Sequence, residues 1–185
     1  MALLAGDALL TEAFRLVLDL EAYRGAASAQ NVVQVGASLA RASGWMGMVG
    51  GQSTDLGFEH RVDDEQSLTF LHRRKTGELF RYSTSAGALL GGANEDEIRA
   101  LGEYGEVLGL AFQIADDILD EEQDADAPVD PDRAETPSFP ALIGMEASKE
   151  RCQQLLQRCL HLLADFGEGA DPLRWLAWFA VHRDH

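Results

Sequence analysis

Three carboxylates stand together near the end of an apolar stretch: Asp116, Asp117 and Asp120. Their spacing is i, i+1 and i+4. On an α-helix Asp116 and Asp120 stack on one face, and Asp117 sits about 100° round from Asp116. Gln113 precedes Asp116 by three positions and joins the same edge. The stretch from Val107 to Leu119 is apolar apart from Gln113 and the two aspartates. A helix apolar on most sides belongs inside a protein. Carboxylates crowded there repel one another and lose hydration. A hard divalent cation removes that cost, and Mg2+ takes one or two carboxylates together with water and phosphate oxygens. The residues alone therefore point to a Mg2+–phosphate site. They also fit an acidic last turn running into a solvated loop, because Glu121, Glu122 and Asp124 continue the acidic run.

The elements that would position these residues read as helical nearly throughout. Leu3-Leu4, Ala8-Leu9, Ala13-Phe14 and Leu16-Val17 recur at helical spacing. Breakers fall at Gly25 and between Thr54 and Glu59. A second helix is expected from about Gln30 to Asp55, rich in Gly, Ala and Ser. A third starts near Asp64, where Asp63-Asp64 can cap and Glu65 favours the first turn, and runs to about Leu90. Asn94 is the expected N-cap of a fourth helix, which reaches Asp120. Residues Glu121 to Ser138 form the main loop, with Pro128, Pro131 and Pro137. A fifth helix follows Pro140, and a sixth runs from Pro172 to the C-terminus. Period-two alternation is not sustained anywhere, so the expected architecture is an all-α antiparallel bundle over a single domain, residues 1–185.

The chain has 185 residues, 46% hydrophobic and 25% charged, with a formal net charge of −16. Such a charge repels nucleic acid and anionic membranes, and it repels a diphosphate unless cations bridge the two. Neither a membrane span nor a signal peptide is legible, so the cytoplasm is the expected location and no stable membrane anchor is expected. Cys152 and Cys159 lie a heptad apart on one helix, roughly 10 Å, too far for a disulfide. They read as reduced, semi-buried thiols.

Against this frame, Gly109-Leu110-Ala111-Phe112-Gln113-Ile114-Ala115-Asp116-Asp117-Ile118-Leu119-Asp120 resembles the second aspartate-rich motif of the trans-isoprenyl diphosphate synthases, most closely the bacterial farnesyl diphosphate synthases. Four further stretches match that family in its order. They are Leu4-Ala5-Gly6-Asp7-Ala8-Leu9, Gly47 to Leu56 with its Gly50-Gly51-Gln52 and Asp55-Leu56, His72-Arg73-Arg74-Lys75-Thr76-Gly77, and Phe139-Pro140-Ala141-Leu142-Ile143-Gly144. The likeness extends to the closing Ala180-Val181-His182-Arg183.

The resemblance implies an isoprenoid-synthase helical bundle and Mg2+-dependent condensation of an allylic diphosphate with isopentenyl diphosphate. It implies that Asp116 is the main ligand of one Mg2+, supported by Asp117 and Asp120. It implies that Lys75 and Thr76 hold the allylic diphosphate with Gln113 nearby, that Phe112 lines the homoallylic side, and that Gln52 belongs to the substrate site. Catalytic weight falls on Lys75 and Asp116. A point charge, a hydroxyl donor and a metal ligand are what a departing diphosphate requires.

Plainer readings stand beside these. Lys75 belongs to a basic cluster with Arg73 and Arg74. Gln52 and Asp55 can end a helix and cap a turn, Gly50-Gly51 can serve close packing, and His72 is a packing or surface residue. Phe112 can be core, and Trp175 with Trp178 reads as packing of the last helix.

The family's first aspartate-rich motif and its isopentenyl diphosphate pocket are not in these 185 residues, and its N-terminal helices are expected to be missing. The loop after Asp120 is lysine-poor, with Arg133 its only base and Thr136 where the family's last lysine stands. The chain alone is therefore expected to be incompetent as a synthase. The alternative is a non-catalytic partner that binds and modulates a complete synthase. The family's dimer helices are present, so a homodimer is expected, as is an exposed apolar face where the N-terminal helices would pack.

Overall fold

The computed structural model describes residues 1–57, 62–124 and 137–183. All regular structure among them is helical: α1 (Ala2–Val17), α2 (Ala29–Ser43), α3 (Met48–Asp55), α4 (Glu65–His72), α5 (Glu78–Leu90), α6 (Glu95–Asp124), α7 (Phe139–Ile143), α8 (Met145–Leu162) and α9 (Asp171–His182). A π-helical turn, Arg73–Gly77, joins α4 to α5, and a 3-10 turn, Glu168–Ala170, leads into α9.

The caps explain several boundaries. Ser28 accepts from the backbone N–H of Asn31 and starts α2. Asp64 forms a reciprocal capping box with Ser67, and Asn94 exchanges bonds with Glu97 at 2.8 and 3.0 Å. Ser138 caps α7, with Pro140 in its first turn.

Helix α6 is the spine. Tyr104, Leu108, Leu110, Ala111, Ile114 and Ala115 on it are buried, and α5, α8 and α9 pack around it. Tyr104 donates its hydroxyl to the Leu173 carbonyl at 2.7 Å, tying α6 to α9. One side of α6 is cut down to backbone so that its neighbours can approach. A Cβ on Gly109 would stand 2.9 Å from the Gly77 Cα, inside the π turn.

Four boundaries differ from the sequence expectation; one is the fifth helix, which splits at Gly144 into α7 and α8. The helix expected over Gln30–Asp55 breaks at Gly44–Gly47, a turn that requires glycine at its end, since a Cβ on Gly47 would meet the Ala42 carbonyl oxygen at 2.0 Å. The helix expected from Asp64 to Leu90 contains the π turn. Helix α6 continues past Asp120 to Asp124, so the first residues of the expected loop are helical. Residues 125–136 of that loop, with Arg133 and Thr136, lie outside the described residues, as do residues 58 and 59 of the expected breaker.

Exposed apolar side chains gather on α1 and α9 rather than on α6. Helix α1 buries no residue, and Leu3, Leu4, Leu9 and Leu16 face outward. Trp175 and Trp178 stand largely exposed on α9, one stacked on Phe179 and the other on His182. The expected packing of the last helix is found within α9 itself, ring on ring, with both indoles largely exposed. Cys152 and Cys159 are free and buried, more deeply than expected.

Candidate functional site

The π turn is the first component. An α-helix bonds each N–H four residues back; a π turn bonds five back and bulges one residue outward. Here the bulge falls on Arg73-Arg74-Lys75-Thr76-Gly77. Helix α3 holds it from behind. A Cβ on Gly51 would lie 2.4 Å from the Lys75 backbone nitrogen and 2.7 Å from its Cα, so the contact requires glycine there. The close-packing reading of Gly50-Gly51 therefore holds. Arg74 donates to the Trp45 carbonyl at 2.5 Å and fixes the loop before α3 to the same turn.

Two side chains leave the turn toward polar partners. Lys75 Nζ meets Asp55 Oδ2 at the end of α3, at 2.6 Å, with both groups part-buried. Thr76 Oγ1 donates to Gln113 Oε1 on α6 at 3.0 Å. Gln52 lies part-buried on α3, next to Gly51.

On α6 the three aspartates part company. The Asp116 carboxylate, 50% exposed, accepts from Arg183 Nη2 at 2.8 Å. The Arg183 side chain is only 7% exposed. Its guanidinium lies 3.9 Å from the centroid of the Phe112 ring and also donates to the Ala180 carbonyl at 3.1 Å. Phe112 in turn contacts Phe80 on α5, ring to ring, at 5.7 Å.

Asp117 turns the other way. Its Oδ2 accepts from the Phe139 backbone N–H at 2.9 Å and lies 3.5 Å from His72 Nε2. His72 is buried and stacks on Phe139, and neither of its ring nitrogens has a hydrogen-bond partner among the described residues. Asp117 thus ties α6 to α7, and His72 is a packing residue, as its plainer reading held. Asp120 lies on the exposed last turns of α6.

Among the described residues no group of three or more His, Cys, Asp or Glu side chains is arranged to hold a metal. The donor set still fits a magnesium ion of the open kind. That ion keeps most of its water and needs only one or two carboxylates, with phosphate completing the shell. Asp116 offers a half-exposed carboxylate whose partner among the described residues is a cation, the Arg183 guanidinium.

Lys75, Thr76, Gln113, Phe112 and Asp116 are therefore linked through the π turn and one edge of α6. Asp117 is turned to a structural contact. Sequence reasoning assigned no role to Arg183. The residue stands 67 positions from Asp116, and no spacing rule connects them. It also treated Asp55 as a turn residue, because an ion pair to a bulged lysine has no periodicity to reveal it.

Burial sets the remaining electrostatics. It pushes the Cys152 thiol up to about 12, helped by the Asp117 carboxylate, and Cys159 also to about 12. The Tyr104 phenol is raised by burial. None of these groups is a nucleophile at neutral pH.

Known proteins resemble this chain along its length. The farnesyl diphosphate synthase of Geobacillus stearothermophilus is 36% identical over 189 residues, which is all of this chain and 63% of that enzyme. The FPP/GFPP synthase from Zymomonas mobilis superposes with a TM-score of 0.83 at 35% identity, over 97% of this chain and 60% of its own. The geranyltransferase from Helicobacter pylori, complexed with magnesium and isoprenyl diphosphate, superposes with a TM-score of 0.71 at 30% identity, over 97% and 57%. The chain thus spans less than two thirds of the length of these relatives. Its fold is the all-α isoprenoid synthase fold that the two structures share with it. Residues 1–166 match the family model described as polyprenyl synthetase, and the chain belongs to that family of prenyltransferases.

Proposed function

We propose that this chain supplies the allylic-diphosphate side of a Mg2+-dependent short-chain prenyl diphosphate synthase. The reaction is condensation of dimethylallyl or geranyl diphosphate with isopentenyl diphosphate, giving farnesyl diphosphate or a product of similar length. The observation that carries this reading is the Thr76–Gln113 bond. It puts the diphosphate-type donors of the π turn against the helix that bears Asp116.

The residues divide the work. Lys75 places an ammonium beside the departing diphosphate, held in position by Asp55 until the substrate replaces that carboxylate. Thr76, whose hydroxyl proton is donated to Gln113 Oε1 in the free chain, would turn that donor to the diphosphate when the substrate arrives. Gln52 borders the same turn from α3. Phe112, whose ring face carries the Arg183 guanidinium at 3.9 Å, would line the homoallylic side. Asp116 would hold Mg2+, with Asp120 supporting it directly or through water and Asp117, whose Oδ2 is bonded to the Phe139 amide, supporting it through water. The ion supplies neutralisation of charge that builds on the leaving phosphate oxygens. It also answers the net charge of −16, which otherwise repels the substrate.

These 185 residues contain one aspartate-rich motif and span about three fifths of their relatives. By themselves they do not turn over. The single domain pairs into a homodimer in the cytoplasm, and the outward leucines of α1 support the pairing. Sedimentation velocity at micromolar concentration reads the dimer, and a monomer contradicts it. No helix among the described residues is long and apolar enough to cross a membrane.

A prenyl-transfer assay with labelled isopentenyl diphosphate, an allylic diphosphate and Mg2+ tests the activity. The chain alone yields no product above background. Addition of a polypeptide carrying the part of the relatives that this chain does not match restores turnover. Product from the chain alone overturns the incompetence. Failure in both arms favours the non-catalytic partner, for which the pairing of Lys75 and Asp116 with internal charges is the supporting observation.

A further inference from the structure

Arg183 combines features that a purely structural salt bridge does not need. Its side chain is 7% exposed, yet its carboxylate partner, Asp116, is 50% exposed. The charge is buried at the cation and open at the anion. A second cation can therefore reach Asp116 from solvent without first opening the fold.

Apart from Asp116, the contacts described for the arginine are to neutral groups. They are the Phe112 ring face at 3.9 Å, the Ala180 carbonyl at 3.1 Å and the Phe112 carbonyl at 3.5 Å. Its other side borders a cleft of about 760 Å³ between α6, α8 and the end of α9, lined in part by Glu146 and Glu150. Arg183 is the first residue after α9, and one backbone bond, from its N–H to the Phe179 carbonyl at 2.9 Å, secures it there.

We propose that Arg183 is a displaceable counter-cation for Asp116: a divalent cation binds Asp116 by expelling the guanidinium, and its arrival loosens the C-terminal end of α9. The proposal rests on the reading of Asp116 as a metal ligand. Arg183 is then a positioning residue, which keeps the carboxylate aimed and neutral in charge balance until the ion arrives. A divalent cation and the guanidinium repel one another across the single oxygen Asp116 Oδ1, so the ion's arrival there disfavours the arginine.

The test uses Mn2+ alone as the probe, titrated into the full chain by calorimetry and by electron paramagnetic resonance. Arg183→Gln removes the competitor, and Mn2+ binds about tenfold more tightly, the loss of a single charge-assisted hydrogen bond. Arg183→Lys keeps a competing cation and stays within about threefold of the parent. Asp116→Asn abolishes the binding in either background. If Asp116→Asn abolishes binding but Arg183→Gln leaves affinity equal or weaker, displacement is wrong and the metal reading stands. If Asp116→Asn binds Mn2+ as the parent does, the metal reading falls and the proposal with it. Hydrogen exchange on the unsubstituted chain gives an independent readout. The Arg183 amide, bonded to Phe179, exchanges faster with Mn2+ present, and protection that is unchanged or increased overturns the proposal.

Discussion

Thr76 and Gln113 stand 37 positions apart and meet at 3.0 Å, hydroxyl to amide oxygen, across the seam between the π turn and α6. The bond spends the amide oxygen of Gln113 on the protein and leaves the threonine oxygen lone pairs open. A hydroxyl so oriented is set rather than free to rotate, and the turn that carries it cannot drift from the helix that carries Asp116. Thr76→Val keeps the shape and removes the donor. It lowers stability by about 1 kcal/mol, read from the urea midpoint. Thr76→Ser keeps most of that stability, and a valine variant as stable as the parent contradicts the role.

Gly51 sets the depth at which α3 meets the π turn. Gly51→Ala puts a methyl 2.4 Å from the Lys75 nitrogen, against backbone that cannot swing aside. The expected cost is about 1–3 kcal/mol, the range of overpacked cores. Gly167→Ala is the control. It meets nothing within 4 Å and its φ is −68°, so the melting temperature stays within a degree or two.

His72 is buried, and neither ring nitrogen has a hydrogen-bond partner among the described residues. Nothing is gained from its polarity in the core, so His72→Leu costs less than about 1 kcal/mol or stabilises, provided the ring volume is replaced. A loss above about 2 kcal/mol in chemical denaturation shows that the ring makes a bond to Asp117 that its 3.5 Å separation does not provide.

The two thiols predict a pH dependence. Each ionises ordinarily near 9.0 and is pushed to about 12 in the fold, Cys152 by burial and the Asp117 charge and Cys159 by burial. Above pH 9 the unfolded chain therefore binds fewer protons than the folded one, so stability falls as pH rises through 9 toward 12. The urea midpoint declines over that window, and less steeply in the Cys152→Ala, Cys159→Ala double variant. At pH 8 a thiol reagent titrates neither cysteine until denaturant is added; prompt reaction of either contradicts the burial.

What the sequence revealed follows from the range of each signal. The buried run Val107–Leu119, the caps Asp64 and Asn94 and the helical period are local, and the fold confirms them. The π turn was invisible because Lys75-Thr76-Gly77 reads as ordinary helix; only the backbone of Gly51 and Gly109 pressing on its two sides explains why the chain bulges there. The break at Gly44–Gly47 was masked by a small-residue run that continues on both sides. Spacing placed Asp117 on the carboxylate edge, but a side chain follows its nearest donor, and for Asp117 that is the Phe139 amide. Arg183 and Asp116 form a pair that only tertiary packing creates.

The most direct test of the central claim is calorimetric titration of inorganic diphosphate into the chain with and without Mg2+. Binding is expected only when the ion is present, and Lys75→Met and Asp116→Asn are each expected to weaken it by about tenfold or more. Binding that needs no Mg2+, or that survives both substitutions unchanged, contradicts a metal-bridged diphosphate site at the π turn and α6.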